Sequence, residues 1–310
     1  MKVTMLVVND YANTGWRFSK CLELLGYDVF TYKLKDHRFK YPKQMKIVKS
    51  FTDVKSSIID SDIIHFIASE YIELNLDLLK YSVVVNHGGS RYRKNSNKIN
   101  KIFNPFVNAC LIQCPDLLGL GAYNEHLIYY PVDTDNIKPN FSGLKNKLKV
   151  GHFPSNMSVK GTSTILKSIE LVKDKINYVG FKSENNKTVV WSDNLERIRS
   201  CDVIIETIQP VLKGKRYGEW GNTTLEAAAS GCIVITNCLS EDVYKREYCE
   251  LPLLVANSQE ELTKCLEYVI SLSSNEIFEL KQKMREWVEK FHSIQATSVR
   301  LQDKIYKNFK

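Results

Sequence analysis

Residues Tyr217–Asn237 read YGEWGNTTLEAAASGCIVITN, a glycine-rich turn, a helix start, one internal acid and an apolar strand in a fixed order. Gly218 and Gly221 leave backbone N–H groups uncovered, and Asn222, Thr223 or Thr224 can cap the helix that follows. The positive end of a helix dipole with free N–H groups suits a diphosphate. A short, alanine-rich helix is expected over Thr224–Ser230, with small side chains that pack close to a sheet. Gly231 ends it ahead of an apolar strand over Cys232–Thr236. Glu226 then falls in the first turn. Either it only offsets the helix dipole, or its carboxylate faces the phosphate cradle at a reach suited to ribose hydroxyls.

Outward from this stretch, short apolar runs alternate with segments of helical period, the mark of parallel α/β layers. In the first half the strands are expected at Val3–Val8, Asp28–Tyr32, Ile63–Ile67, Val83–Asn86 and Ala109–Gln113, with a helix over Trp16–Leu25 closed by Gly26. The second half repeats the scheme at Lys149–His152, Ile176–Val179, Val203–Ile205, Ile233–Thr236 and Leu253–Val255. Each run is continuously apolar, as expected where both sheet faces are covered. Two Rossmann-like domains in series follow, residues 1–140 and 141–290, joined through Asp133–Lys149, which is rich in Asn, Lys, Pro and Gly. The C-terminal residues from Asn275 look helical, with Trp287, Phe291 and Ile294 at core-facing spacing.

A length of 310 residues exceeds what one core usually serves, and 44% hydrophobic with 25% charged residues is ordinary for a globular chain. No run is long and apolar enough for a membrane span, and MKVTMLVVND reads as a first strand and not as a signal peptide. The eight cysteines are scattered without a CxxC pair, which suits a reduced, cytoplasmic chain with buried thiols and no zinc site. Four Asn-x-Ser/Thr triplets, at Asn140, Asn156, Asn186 and Asn222, matter only in a secretory compartment; one lies in the proposed site, which again suits the cytoplasm. The net charge is +8, with a basic run Arg91, Arg93, Lys94, Lys98 and Lys101. Such a run is ordinarily a solvated surface; it also suits peripheral contact with an anionic membrane or a lipid-diphosphate acceptor. Only Tyr92 and Phe103 interleave it, so nucleic acid is a poor fit as partner. The loop Tyr11–Gly15 lacks GxGxxG spacing, so no dinucleotide cofactor is indicated.

Set against known patterns, Gly218-Glu219-Trp220-Gly221 and Leu225-Glu226-Ala227 resemble the donor-site motif of the group 1 (GT-4-like) glycosyltransferases, retaining enzymes of the GT-B fold. The family's first acid aligns with Gly218, and only six residues separate Glu219 from Glu226 where the family has seven. Gly151–Asn156 followed by Val159-Lys160-Gly161-Thr162 is similar to the strand, loop and Lys-Gly-Thr turn that opens the family's second domain, with Ser155 where the family often has arginine. Asn86-His87-Gly88-Gly89-Ser90-Arg91 resembles its His-Gly loop, and Cys114–Leu118 and Tyr130–Asp133 resemble segments ahead of its linker.

The resemblance implies an α/β GT-B architecture, two Rossmann-like domains with parallel sheets facing a central cleft. The first domain would take the acceptor and the second the donor, with a last helix at about residues 290–310 returning to the first domain. It implies transfer, with retained configuration, from a nucleotide diphosphate sugar, UDP- or GDP-linked, to a hydroxyl of a glycan or lipid-linked acceptor, and no metal. Lys160 would meet the diphosphate, Arg216 or Lys215 would complete its clamp, and Glu226 would hold the ribose. Glu219 would take the donor-sugar role only if the turn shifts by one residue. Gly218, Gly221, Asn222, Thr223 and Thr224 would cradle phosphates, Trp220 would pack on the donor, and Gly15 with Asn13 and Thr14 would approach phosphate or acceptor. His87, with Gly88 and Arg91, would line the acceptor site, His87 contacting the reacting sugar. A sugar-nucleotide epimerase, a non-catalytic nucleotide-sugar-binding GT-B domain and a glycosyltransferase acting on nucleic acid are the alternatives.

Overall fold

A computed structural model of the chain describes residues 1–141, 147–180, 189–217 and 219–309. They form two compact units, one of Met1–Pro131 with His292–Lys310 and one of Val132–Phe291.

The first unit is built on strands β1 (Lys2–Asn9), β2 (Asp28–Lys35), β3 (Lys46–Ile47), β4 (Ile63–Phe66), β5 (Ser82–His87), β6 (Ala109–Ile112) and β7 (Glu125–Leu127). All pair in parallel, in the order β3-β2-β1-β4-β5-β6-β7. Side chains alternate across the sheet. Val3, Met5 and Val7 join Phe18 and Leu22 of helix α1 (Thr14–Leu24) on one face, whereas Leu6, Ile64 and Phe66 face the other side with Phe51 and Ile58, the latter from α2 (Lys55–Ile59). Helix α3 (Gly89–Phe103) adds Tyr92, Ile99 and Phe103 to that second face.

The second unit carries β8 (Leu148–His152), α4 (Met157–Lys160), α5 (Thr162–Val172), β9 (Ile176–Gly180), α6 (Trp191–Arg199) and β10 (Val203–Ile205). A small antiparallel hairpin, β11 (Val211–Leu212) with β12 (Lys215–Arg216), leads to α7 (Asn222–Ala229), β13 (Ile233–Thr236), α8 (Glu241–Tyr248), β14 (Leu254–Val255) and α9 (Gln259–Ser271). The five main strands are parallel, in the order β14-β13-β10-β8-β9. Helix α10 (Ser274–His292) sends Trp287, 2% exposed, against Trp220 and Tyr244 of this unit. Helix α11 (Ile294–Lys304) then packs on α1 of the first unit, burying Leu301.

The stretch expected as a linker begins as part of the second unit. Arg285, 9% exposed, donates to the carbonyls of Thr134, Ile137 and Ala229, and Asn140 is fixed to Ser230 and Arg199. Residues 142–146 of that stretch lie outside the described residues. The cysteines form no disulfide; six are buried, among them Cys110, Cys114, Cys201, Cys232 and Cys238, while Cys249 is exposed and Cys265 half-buried.

Candidate functional site

In the second unit, β8 leads on to β9 at one side of the sheet and β10 lies on the other, so the order of connection reverses between β8 and β10. Ligands of open parallel sheets bind outside the strand carboxyl ends at such a point. Both loops there supply a charge. Lys160 ends α4, just after β8, and its Nζ pairs with Oε1 of Glu206, which follows β10 directly. The Glu206 side chain is 1% exposed and that of Lys160 22%. The second carboxylate oxygen of Glu206 accepts from Thr236 Oγ at the end of β13, 3.3 Å away. Reading the sequence missed Glu206, because its neighbours Ile205 and Thr207 carry no motif.

Two features hold Lys160 in place. Gly161 caps α4 with φ +66°, and a Cβ there would sit 2.2 Å from the Ile208 carbonyl oxygen. His152, fully buried, links β8 to β10 and to α5: its Nδ1–H donates to the Ile205 carbonyl at 2.8 Å, and its Nε2 accepts from Thr162 Oγ at 2.9 Å. Burial keeps His152 neutral, its imidazole held down to about 4. Gly161→Ala combines backbone strain with a clash, so we expect it to lower the melting temperature of the protein and to displace Lys160; a melting curve superimposable on wild type would contradict this.

Helix α7 starts two residues earlier than expected. Its N-cap is Gly221, and no side chain among the described residues caps it, so the proposed caps Asn222, Thr223 and Thr224 are instead its first three residues. A Cβ on Gly221 would meet nothing within 4 Å, so the side of the backbone where it would sit is open. Thr224 is fully buried, and its hydroxyl has no hydrogen-bond partner among the described residues. With the earlier start, Glu226 is the fifth residue of α7 and lies beyond its first turn. It is 5% exposed, and its Oε1 accepts from Trp191 Nε1, the first residue of α6, at 2.9 Å.

The turn ahead of α7 is anchored and not free. Glu219, 7% exposed, accepts from Arg216 at 2.7 Å, from Ser240 Oγ at 2.9 Å and from the Leu239 N–H at 2.8 Å. It serves as the fixed counter-ion of Arg216, whose side chain remains 43% exposed and also donates to Ser240. Trp220 is fully buried, its ring 5.2 Å from Tyr244 and 5.6 Å from Trp287, so it builds core and does not face a donor. The aromatics that enclose it come from α8 and α10, too far along the chain for the motif to reveal. Gly218 lies outside the described residues.

In the first unit the connection reverses between β1 and β4. The loop after β1 holds Ala12 and Asn13 at φ 55° and 57°, and the loop after β4 holds Ala68 and Ser69 at φ 59° and 56°. Strained backbone of this kind clusters at functional sites. Gly15 does not offer its N–H to a ligand there. Asp10, 1% exposed, takes the N–H groups of Gly15 at 2.7 Å and Trp16 at 3.1 Å. Burial pushes the Asp10 carboxyl up to about 6 despite those two bonds and the nearby Lys33 and Arg17.

His87 is fully buried at the end of β5, stacked on Tyr92 at 4.1 Å, with its Nδ1 2.9 Å from Ser69 Oγ. Its Nε2 has no partner among the described residues, and burial holds the ring down to about 3, so it is neutral. It braces the strained Ser69 loop from beneath and does not line an open pocket. A Cβ on Gly88 would meet Gln113 Oε1 at 1.9 Å, so any larger residue there would have to move the Gln113 amide. Within the basic run, Arg91 pairs with Glu70 at 2.7 Å and Arg93 with the buried Asp116 at 2.6 Å, which leaves the charge on α3 smaller than the sequence suggests. Among the described residues no cluster of His, Cys, Asp and Glu could hold a metal ion, and no helix is long and apolar enough to cross a membrane.

No family model and no curated protein sequence matches this chain. Solved structures do. HepE from Anabaena, solved in complex with UDP-glucose, is 12% identical with a TM-score of 0.66 over 98% of this chain and 99% of that one. OtsA is 9% identical with a TM-score of 0.60 over 99% of each chain. AviGT4, a glycosyltransferase involved in avilamycin A biosynthesis, is 13% identical with a TM-score of 0.55 over 98% of this chain and 96% of that one. Seven parallel strands in one unit, five in the other and these likenesses over whole chains give the protein the GT-B fold.

Proposed function

We propose that the protein is a glycosyltransferase that moves a sugar from a nucleotide diphosphate sugar to a hydroxyl of a glycan or lipid-linked acceptor, with retention of configuration. One observation carries the reading: a helix N-terminus with no side-chain cap among the described residues, and with the Cβ side of its Gly221 open, shares the carboxyl edge of the second sheet with Lys160, an ammonium fixed at its switch point. Helix N–H groups and an ammonium together suit a diphosphate without a metal. HepE, of the same fold, was solved with UDP-glucose, which favours a UDP-linked donor here.

As the bond from sugar to phosphate breaks, negative charge grows on the leaving diphosphate. Stabilising that charge is the main task of the protein. Lys160 and the first N–H groups of α7 do this, and Arg216, half-exposed above its Glu219 anchor, adds a second cation. Entering phosphate replaces Glu206 as the partner nearest the Lys160 ammonium, so the resting pair keeps the cation oriented. Glu226 takes the ribose hydroxyls. The acceptor belongs to the first unit, at the strained loops after β1 and β4, where Arg91 and Glu70 border the surface. Lys94, Lys98 and Lys101, exposed on α3, are the residues that would touch an anionic membrane.

The test is release of nucleoside diphosphate from UDP-glucose and from a GDP-linked sugar, with and without glycan and lipid-linked acceptors, followed by proton NMR of the product anomer. Acceptor-dependent release with a retained anomer is expected. Conversion of the donor sugar with no acceptor would make the protein an epimerase instead. We further expect Glu226→Gln to weaken nucleoside diphosphate binding about tenfold, the cost of a lost charge-assisted hydrogen bond, with a smaller effect on turnover at saturating donor. Unchanged affinity would remove Glu226 from the site.

A further inference from the structure

At the amino edge of the first sheet, opposite the edge that carries the strained loops, four large apolar side chains share one groove of about 350 Å³. Tyr81 directly precedes β5, Phe106 lies just before β6, Tyr123 just before β7, and Leu79 comes from the short 3-10 turn Leu78–Lys80. Tyr123 is 56% exposed and Leu79 75%. Single exposed apolar residues are ordinary on a protein surface, whereas a contiguous group marks a binding surface. The volume is that of a small-ligand cleft.

Asparagine side chains hold both banks of the groove. Asn104 donates to the Gly121 carbonyl at 3.0 Å and accepts from the Tyr123 N–H at 3.1 Å, Asn100 donates to the Leu120 carbonyl at 2.8 Å, and Asn124 donates to the Asn108 carbonyl at 2.7 Å. The rings therefore stand on fixed backbone and lose little freedom when a ligand settles on them. Asn108 Oδ1 accepts from the Val83 N–H at 2.7 Å, which fixes its amide and leaves the NH2 group without a partner among the described residues. No charged residue lines the groove among those described. A phosphate or an anionic headgroup would find no cation there, and a purely apolar chain would leave the amides of Asn104 and Asn108 unmatched. The lining suits a neutral ligand with apolar faces and a hydroxylated rim. A sugar ring is such a ligand: its C–H bonds lie on the electron-rich face of an aromatic ring while its hydroxyls reach amides.

We propose that this groove is a second carbohydrate site, which takes a neutral glycan chain through its sugar rings and lies apart from the reaction centre. The six residues of β5 separate it from the carboxyl edge by about 20 Å, so only a glycan of several units can occupy both. On the glycosyltransferase reading, a glycan held here keeps its far end near the acceptor loops and raises the effective concentration of the acceptor. Binding in the groove itself does not depend on that reading.

Binding of wild type, Tyr123→Ala, Tyr123→Phe and Leu79→Glu to an array of neutral and anionic oligosaccharides, with no nucleotide present, tests it. Both positions are exposed enough to be changed without opening the core. Neutral oligosaccharides should bind wild type, and Tyr123→Ala should weaken them roughly two- to tenfold, the worth of one stacked ring, with Tyr123→Phe close to wild type. Affinity for UDP should be the same in all four proteins. No neutral oligosaccharide bound by wild type, or binding undiminished in both Tyr123→Ala and Leu79→Glu, would overturn the inference and leave the nucleotide reading untouched. Retention of wild type on phosphatidylcholine vesicles, or a sedimenting dimer, that Leu79→Glu abolishes would give the groove to a lipid surface or to a second copy of the chain and overturn it as well. Glycan binding weakened by Tyr123→Ala in a protein that binds no UDP would keep the groove and remove the proposed reaction.

Discussion

Replacing Lys160 by alanine should lower turnover by roughly two to three orders of magnitude, the loss seen when one fixed group that stabilises transition-state charge is removed. Affinity for the intact donor should fall much less, because the charge on the diphosphate grows only as the bond breaks. The single substitution has a second consequence. It strands the Glu206 carboxylate, 1% exposed, without its cation, and breaking a buried pair from one side costs about 3–5 kcal/mol. A melting temperature well below wild type is therefore expected for Lys160→Ala. The pair of changes Lys160→Met with Glu206→Gln separates the two effects, since it leaves no unpaired charge. That double variant should recover most of the lost stability and none of the lost turnover. If its turnover matched wild type, Lys160 would have no part in the chemistry.

Acid should destabilise this protein far above the usual carboxylate range. Burial holds His65 and His152 down to about 4 and His87 and His292 down to about 3. Their unfolded value is about 6.5. The stability these neutral rings contribute is thus present above about pH 6.5 and is lost as the pH falls toward 4, because the unfolded chain takes up protons that the folded chain refuses. Asp10 works in the opposite sense. Its folded value, raised to about 6, lets the folded chain keep a proton between about pH 6 and the ordinary aspartate value near 3.8, so it offsets one histidine of the four. Summed over these five groups the loss between pH 7 and pH 5 is roughly 6 kcal/mol, comparable to the whole stability of many domains. Urea midpoints from pH 7.5 to pH 5 should fall steeply, and more steeply in Asp10→Asn. A flat profile would mean that these rings are not buried in neutral form.

The central strands were legible because they are covered on both faces and so read as unbroken apolar runs, as Val203–Ile205 and Ile233–Thr236 do, whereas the short strands β3, β7, β11 and β12, with mostly exposed or half-buried residues, carry no such run and were missed. Helix α7 was legible from Gly221 and Gly231, one at its N-cap and one past its end at φ +77°. Its starting residue was not, because glycine cannot compete on paper with three hydroxyl and amide side chains that look like better caps. The site divides in the same way. Lys160 and Glu226 stand in local patterns, whereas their partners Glu206 and Trp191 lie 46 and 35 residues away and meet them only through the sheet order and the pairing of α6 with α7. Trp220 stands in an aromatic position of the motif but is enclosed by Tyr244 and Trp287, which the motif does not contain. One signal was present and overlooked. Asp10, five residues before Gly15, is an acid placed where a helix begins, and an acid there will take the N–H groups that a phosphate would otherwise find.

Titration calorimetry of the metal-free protein with UDP, GDP, dTDP, ADP and CMP, repeated on Glu226→Gln, probes the nucleotide site itself. At least one nucleoside diphosphate should bind wild type without metal and bind the variant about tenfold more weakly. Absence of binding by all five to the folded wild-type protein would contradict it, and would leave a GT-B domain that acts through some surface other than a nucleotide site.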